Sequence, residues 1–467
     1  MIKTFSITNE NLDTNCRLEP SFHYYGIVLK QKLINKGINF VKLDELSEKI
    51  SDGEHSHIPR INKPGIRYLY GRNIKEGLIN FDPITDDSYI SDENYDSFKR
   101  THIRDGDVLL TIVGTVGKSA VYRKHYVGIA GIPRHIANIR LKRDTYITPE
   151  FLSVFFRSRP GKWQIQNITT GNIQPLLSIK NIRTLDIPLP EKTIVKTITE
   201  QELKAIEYES EALSKIEKAR NLFLNKINLD LSNVSKNLSF SINLDFFKSA
   251  DLWIPKYSAP RYLEILEMIK KNWKIEKLGK LATFKKGDEV GSINYKKYTE
   301  KRDDDIPFIR TSDFVNFEVD SYPDYYVEKE ISNYLDQELS KGDLLFTKDG
   351  KIGSTAFITE FDRVIISSGV LRIRVSNAAK KLNITPEYLF IVLSTEYTGL
   401  YPAIRRTVVA STIPHLREDR LKDIEIPIID EPSINTITKL VSEAFILKNN
   451  KKILMVKSTG QVEEIFQ

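Results

Sequence analysis

One stretch of this chain is written twice. Arg104-Asp-Gly-Asp-Val-Leu-Leu-Thr111 returns 236 residues later as Ser340-Lys-Gly-Asp-Leu-Leu-Phe-Thr347, and Gly114-Thr-Val-Gly117 returns at the same distance as Gly350-Lys-Ile-Gly353. Ile147-Thr-Pro-Glu-Phe-Leu152 matches Ile384-Thr-Pro-Glu-Tyr-Leu389, Ile173-Gln-Pro-Leu176 matches Ile413-Pro-His-Leu416, and Asp186-Ile-Pro188 matches Glu425-Ile-Pro427. Periods of 20–50 residues build solenoids, whereas a period this long means that a whole module of about 190 residues is duplicated. The 467 residues allow roughly three domains at ~150 residues each, so two modules and their connections account for the chain.

Short patterns fill each module. Val108–Val113 and Leu344–Thr347 are apolar runs set off by Gly-Asp, as buried strands are. Ala137–Leu141 and Val370–Val375 alternate apolar residues with Arg, which predicts a strand with one wet face. The two Thr-Pro-Glu sequences predict helix starts, with Thr148 and Thr385 as N-caps and Pro149 and Pro386 in the first turn. Both modules mix helix and strand.

A different texture follows each module. Thr193 to about Leu231 holds neither proline nor glycine, and Ala205, Ile206, Ala212, Leu213, Ile216, Ala219, Phe223 and Ile227 form a stripe at helical spacing. The second copy starts at Pro432, carries Ile434, Ile437, Val441, Ala444 and Phe445, and runs to about Val456. A helix over the first segment is ~58 Å long at 1.5 Å per residue, far more than a compact domain needs. That length favours pairing of the two helices with each other over packing of each on its own module. The segments before the modules also echo one another, Arg17-Leu18-Glu19 with Phe22 against Asn243-Leu244-Asp245 with Phe246 and Phe247.

Composition narrows the function classes. Charged residues at 28% and hydrophobic residues at 40% predict a folded chain, and a net charge of +7 permits nucleic-acid binding without demanding it. A single cysteine, Cys16, excludes an intrachain disulfide and a cysteine-based zinc site. The polar start and the lack of an 18-residue apolar run predict a cytoplasmic protein with no membrane segment.

Catalytic motifs are missing. Gly114-Thr-Val-Gly-Lys118-Ser119 looks like a phosphate loop, but it has two residues between its glycines instead of four, and the second copy replaces the lysine with Ser354. The glycine pair suits a tight turn between strands. Asp324, Asp349 and Lys351 imitate a metal-dependent nuclease set, yet the first module has Val113 and Thr115 at the corresponding places. No Asn/Asp-Pro-Pro-aromatic motif for a flipped adenine occurs, and His55 and His57 are too few for a metal site. The expectation is no catalytic residue and no metal.

Basic and polar residues gather where the modules have loops. Arg60, Lys63, Arg67, Arg72 and Asn73 fall in or beside PRINKPGIRYLYGR, among Tyr68 and Tyr70; Lys285, Lys286, Lys296 and Lys297 precede Arg310 and Ser312; Arg405 and Arg406 precede Ser411 and Thr412. With Lys118, Arg134, Asn172, Lys348 and Lys351 they are the candidate DNA-contacting residues, since such side chains reach both phosphates and base edges.

Taken in order and repeated, the Arg17-Leu18-Glu19 lead-in, the Gly-Asp-Val-Leu-Leu and Gly-Thr-Val-Gly blocks, Ile173-Gln-Pro-Leu176, Ile187-Pro188-Leu189-Pro190 and the long helix resemble the specificity (S) subunit of Type I restriction–modification systems over nearly the whole chain. The resemblance implies an α+β architecture: two tandem mixed α/β target recognition domains related by pseudo-two-fold symmetry, separated by two long antiparallel coiled-coil helices. The implied division is 1–190 for the lead-in and first recognition domain, 191–236 for the first spacer helix, 237–430 for the second lead-in and recognition domain, and 431–467 for the second spacer helix. Each domain would read one half of a bipartite, asymmetric site on double-stranded DNA. The helices would act as a ruler and dock two methyltransferase (M) subunits, and ATP-dependent restriction (R) subunits would join for cleavage in phage defence. S-adenosylmethionine, ATP and Mg would reside on those partners, with no cofactor on this chain. The alternatives are a stand-alone tandem DNA-binding adaptor and the recognition subunit of another restriction–methylation type.

Overall fold

Val108–Thr111 and Leu344–Thr347, the apolar runs after the two Gly-Asp pairs, are fully buried strands in the computed structural model of the protein. The structure describes residues 34, 37–61, 64–81, 89–171, 174–232, 234, 239–245, 252–291, 304–335, 337–409 and 412–466. The first lead-in, with Cys16, lies outside them, as do Phe246 and Phe247. Two units form, Met1–Tyr208 with Asn450–Gln467, and Glu209–Asn449. Among the described residues no helix is long and apolar enough to cross a membrane.

The first unit contains β1 (Asn39–Lys42), β2 (Ser47–Asp52), β3 (Ile66–Tyr68), β4 (Tyr89–Ile90), β5 (Val108–Thr111), β6 (Ser119–Val121), β7 (Ala130–Gly131), β8 (Ile136–Leu141) and β9 (Asp186–Leu189). They form a four-stranded sheet in the order β2-β8-β5-β6, a three-stranded sheet β4-β3-β7 and the pair β1-β9. Helix α1 (Pro149–Arg157) begins as expected: the Thr148 hydroxyl accepts from the Phe151 amide at 3.1 Å and Pro149 occupies the first turn. The long helix α2 spans Lys192–Ile227, 36 residues. It stops short of Leu231 because Asn228 turns left-handed at φ 48°.

The second unit repeats this plan. Its strands are β10 (Lys274–Lys277), β11 (Ala282–Lys286), β12 (Ile306–Ile309), β13 (Phe314–Val315), β14 (Glu318–Val319), β15 (Tyr326–Val327), β16 (Leu344–Thr347), β17 (Thr355–Phe357), β18 (Ile365–Ile366), β19 (Val370–Val375), β20 (Val408–Val409), β21 (Pro414–His415) and β22 (Glu425–Ile428). The orders β11-β19-β16-β17, β15-β12-β18 and β10-β22 match the first unit sheet for sheet, and the hairpins β13-β14 and β20-β21 are added. Its helices include α3 (Pro260–Asn272), α4 (Pro386–Ser394), α5 (Tyr401–Arg405) and the first part of the 35-residue α6 (Glu431–Ile465), which continues nine residues past the expected end and belongs to the first unit from Asn450 on. The protein is therefore α+β, a duplicated mixed module with two long helices.

Local chemistry is duplicated as well. The Arg140 guanidinium donates two 2.7 Å hydrogen bonds to the buried Asp107 carboxylate, and Arg374 binds the buried Asp343 in the same way at 2.6 and 2.8 Å. These pairs correct in part the expectation that β8 and β19 have a wet face: the Arg374 side chain is 37% exposed, whereas that of Arg140 is 15% exposed. Asn138 and Arg372 are buried at 1% and 8% exposure, and Arg140 and Arg374 neutralise the aspartates of the Gly-Asp turns. The glycine pairs behave as the turn reading expects. Gly114 and Gly117 have φ of 77° and 92°, and Gly350 and Gly353 have 67° and 93°, where a Cβ is strained.

The stripe on the long helices is buried both between the helices and against a module. In the second unit Ala212, Ile216, Ala219, Phe223 and Ile227 share one core with Ile437, Val441, Ala444 and Phe445, and with Tyr388 and Phe390 of α4. Leu213 is only half-buried. Lys215 pairs with Glu443 at 2.8 Å and Lys226 with Asp430 at 2.9 Å, so the two helices run antiparallel there. In the first unit Ala205 and Ile206 are buried too.

Candidate nucleic-acid interface

In the first unit the tyrosines and arginines of PRINKPGIRYLYGR interlock. The Arg60 guanidinium lies 4.1 Å from the centre of the Tyr68 ring and 5.2 Å from that of Tyr70, while Nε donates to the Tyr70 hydroxyl. Arg72, which is exposed, covers Tyr70 at 4.7 Å. Cation–π contact of this kind holds a guanidinium in place. Burial pushes the Tyr68 hydroxyl up to about 12, so it stays a neutral donor. Arg67 projects from the strand onto Phe81 at 4.3 Å, and burial pulls its pKa below the usual range.

In the second unit Arg310 follows β12. Its guanidinium stacks 4.0 Å over Tyr325 and Nη2 donates to Asp324 at 3.2 Å, while Asp313 lies 3.5 Å from Nε. Ser312 is exposed and donates to Asp313 at 3.1 Å.

The turns behind these residues are the same turn. Asn73 accepts from the Tyr70 amide at 2.9 Å through its side chain, and Asp313 does the same for Arg310 at 2.9 Å. The Asn80 amide donates to the Asn73 carbonyl at 2.7 Å, and the Asp320 amide to that of Asp313 at 2.8 Å. Tyr70 therefore corresponds to Arg310, and Arg72 to Ser312. Asn73, a candidate contact by sequence, is 9% exposed and is occupied in closing its turn, with Nδ2 donating to the Asn80 carbonyl.

The other candidates scatter. Arg134 and Lys286 are exposed, Lys285 and Lys351 are half-buried, and Thr412 is exposed beside the β20–β21 hairpin. Lys118 and Lys348 are buried at 7% and 5%, and Lys348 is 2.7 Å from Asp349, whose other oxygen meets the His415 ring. Arg405 and Arg406, expected on a DNA-facing loop, are 5% and 8% exposed because α5 turns them into the protein. Lys63, Asn172, Lys296, Lys297 and Ser411 lie outside the described residues. Asp324 is engaged by Arg310, and Asp349 by Lys348 and His415. Among the described residues no group of three or more His, Cys, Asp or Glu side chains could hold a metal.

Comparison with known proteins finds one domain match, within the second unit. Residues 270–440 match the Type I restriction modification DNA specificity domain. No curated protein sequence matches the chain. Among solved structures, the chain is similar to a Type I restriction-modification S subunit from M. genitalium, at 12% identity and a TM-score of 0.32, covering 92% of this chain and 94% of that one. It is also similar to the HsdS subunit from Thermoanaerobacter tengcongensis, at 16% identity and a TM-score of 0.27 over 92% and 96% of the two chains. Superpositions this loose carry no weight beside the domain match and the repeat. What the comparisons give is therefore a likeness of residues 270–440 to the DNA specificity domain of Type I restriction modification systems.

Proposed function

We propose that this chain is the sequence-reading subunit of a Type I restriction–modification complex. It binds a bipartite, asymmetric site on double-stranded DNA, one half per module, and recruits two methyltransferase subunits and ATP-dependent restriction subunits. It carries no catalytic residue of its own; S-adenosylmethionine, ATP and Mg stay with the partners, in the cytoplasm. The observation that carries this reading is the shared turn with unlike side chains. One backbone frame offers Tyr70 and Arg72 in the first module, and Arg310 and Ser312 in the second. Identical frames with different donors and acceptors are what reading two unlike half-sites requires.

The test is methylome sequencing of a host that lacks adenine methylation and expresses this chain with a Type I methyltransferase subunit. One bipartite motif is expected. Replacing residues 41–190 with the module of a paralogue is expected to change one half of that motif. A change in both halves, or methylation without a motif, overturns the reading.

A further inference from the structure

Helix α3 lies against α5 through its tyrosines: the Tyr262 and Tyr401 rings meet edge to face at 5.5 Å, and Tyr397 meets Tyr401 at 5.6 Å. A small recess remains between them, lined by these three tyrosines, by Ile265 and Ile269, and by Arg405, Arg406 and Glu425. Two of the charged groups are already committed. Arg406 donates to the carbonyls of Pro402 at 3.1 Å and Asp423 at 3.2 Å, and Glu425 pairs with Lys270 at 3.3 Å.

Arg405 is different. It is 5% exposed, and among the described residues it makes no hydrogen bond and no ion pair. Its Nε is enclosed without an acceptor, and its guanidinium lies 4.6 Å from the centre of the Tyr257 ring. Burial first, and the neighbouring Arg406 second, pull its pKa down to about 10, which still leaves it charged at neutral pH. A buried cation with its planar fork of donors unfilled is rare in folded proteins, because each enclosed donor forfeits its bond to water. What matches that fork is an oxyanion with two oxygens side by side.

We infer that this recess is a binding site for one small free oxyanion of phosphate or carboxylate size, held by the Arg405 guanidinium beneath the tyrosine walls. The depth of Arg405 keeps it from a phosphate on the convex backbone of a duplex. The site belongs to the second unit alone. Gly161 and Gly399 fill equivalent places, each packed on a backbone carbonyl, and by that spacing Asn167 and Ile168 stand where Arg405 and Arg406 do.

Thermal melting of the full chain in inorganic phosphate, acetate or chloride, at matched pH and ionic strength, tests this. A saturable rise in melting temperature with phosphate or acetate, absent with chloride, is expected, together with its loss in Arg405→Gln. No saturable rise, or an equal rise in the variant, overturns the proposal. Should Arg405→Gln not fold, Arg405→Lys keeps the charge without the fork, and phosphate binding read by ³¹P line broadening is expected to weaken at least tenfold. Unchanged binding in that variant overturns the site. Binding to an unrelated duplex is the last arm. Equal duplex affinity in wild type and variant supports a free anion, whereas a loss there with no anion effect assigns the guanidinium to DNA and overturns the inference.

Discussion

The Lys448 ammonium lies 2.9 Å from each carboxylate oxygen of Glu209, and neither side chain has any exposure. The two residues hold the same place in their helices. Thr199 and Thr438, each bonded at 2.7 Å to the capping threonine of its module, are 239 positions apart, and so are Glu209 and Lys448. A position that meets its own copy is filled here by opposite charges. Asn316 donates to Glu209 at 3.0 Å, and Glu318 lies 3.7 Å from Lys448, so the pair is embedded in a polar cluster.

Removing one partner from such a pair leaves a buried charge and costs about 3–5 kcal/mol. Lys448→Met is therefore expected to lose that much in urea unfolding. Adding Glu209→Leu should restore a large part of it. The charge-reversed double variant, Glu209→Lys with Lys448→Glu, should recover less, because Asn316 and Glu318 were set for the original polarity.

Arg157 makes the corresponding prediction for the first unit. Fully enclosed, it donates to Glu202 at 2.6 and 3.2 Å, to the Thr459 and Ser458 hydroxyls at 2.9 and 3.1 Å, and to the Met455 carbonyl at 3.3 Å. Arg157→Met strands the Glu202 carboxylate and is expected to destabilise the chain by about 3–5 kcal/mol. Hydrogen exchange should show the loss first in α1 and around residues 455–459. Protection unchanged in both places would contradict it.

Arg72 and Ser312 can be exchanged in place. With Arg72→Ser the first half-site is expected to weaken or relax; with Ser312→Arg the second half-site is expected to change. Each change should leave the other half as it was. If Arg72 contacts a base, its loss costs about 1–3 kcal/mol at one position. If it contacts a phosphate, affinity falls for all sequences and the salt slope drops by about one. A salt titration of binding on cognate and unrelated duplexes separates the two.

Asp430, at the start of α6, gives a pH signature. The Lys226 ammonium, 2.9 Å away, and then the bonds from Ser433 hold its carboxyl down at about 2. A carboxyl whose folded pKa lies below its unfolded value stabilises fully above the unfolded value, near 4. It loses that contribution as pH falls toward 2. Both side chains are more than a third exposed, so screening limits the effect to roughly 0.2–1 kcal/mol. Asp430→Asn should therefore be less stable than wild type at pH 6 and indistinguishable from it near pH 2, by chemical denaturation.

Much of this architecture is legible in the sequence because it is local. Gly-Asp before an apolar run, Thr-Pro-Glu before a helix, and a stripe at helical spacing each name their element within a dozen residues. The equivalence of Arg72 with Ser312 is hidden because the modules differ in length between turn and strand. Asn73 to Asp313 spans 240 positions, whereas Asp107 to Asp343 spans 236, so a fixed offset misaligns the loop. The inward direction of Arg405 and Arg406 is also hidden, since a short helix with two basic residues looks the same whether it faces water or α3. The partners of Arg140 and Arg374 are 33 and 31 residues away, beyond the reach of any local pattern, and this is why their strands look half-wet in the sequence.

The closing segment of the first unit comes from the far end of the chain. Val462 sits in the same buried cluster as Phe155, Phe156 and Ile198, and the Phe466 ring stacks on Phe155 at 6.1 Å. These residues are synthesised after all of Glu209–Asn449. In chain order, therefore, the second unit's sequence is complete at Asn449, while the first still lacks the segment that closes its core. The module that is translated first is the last to be completed.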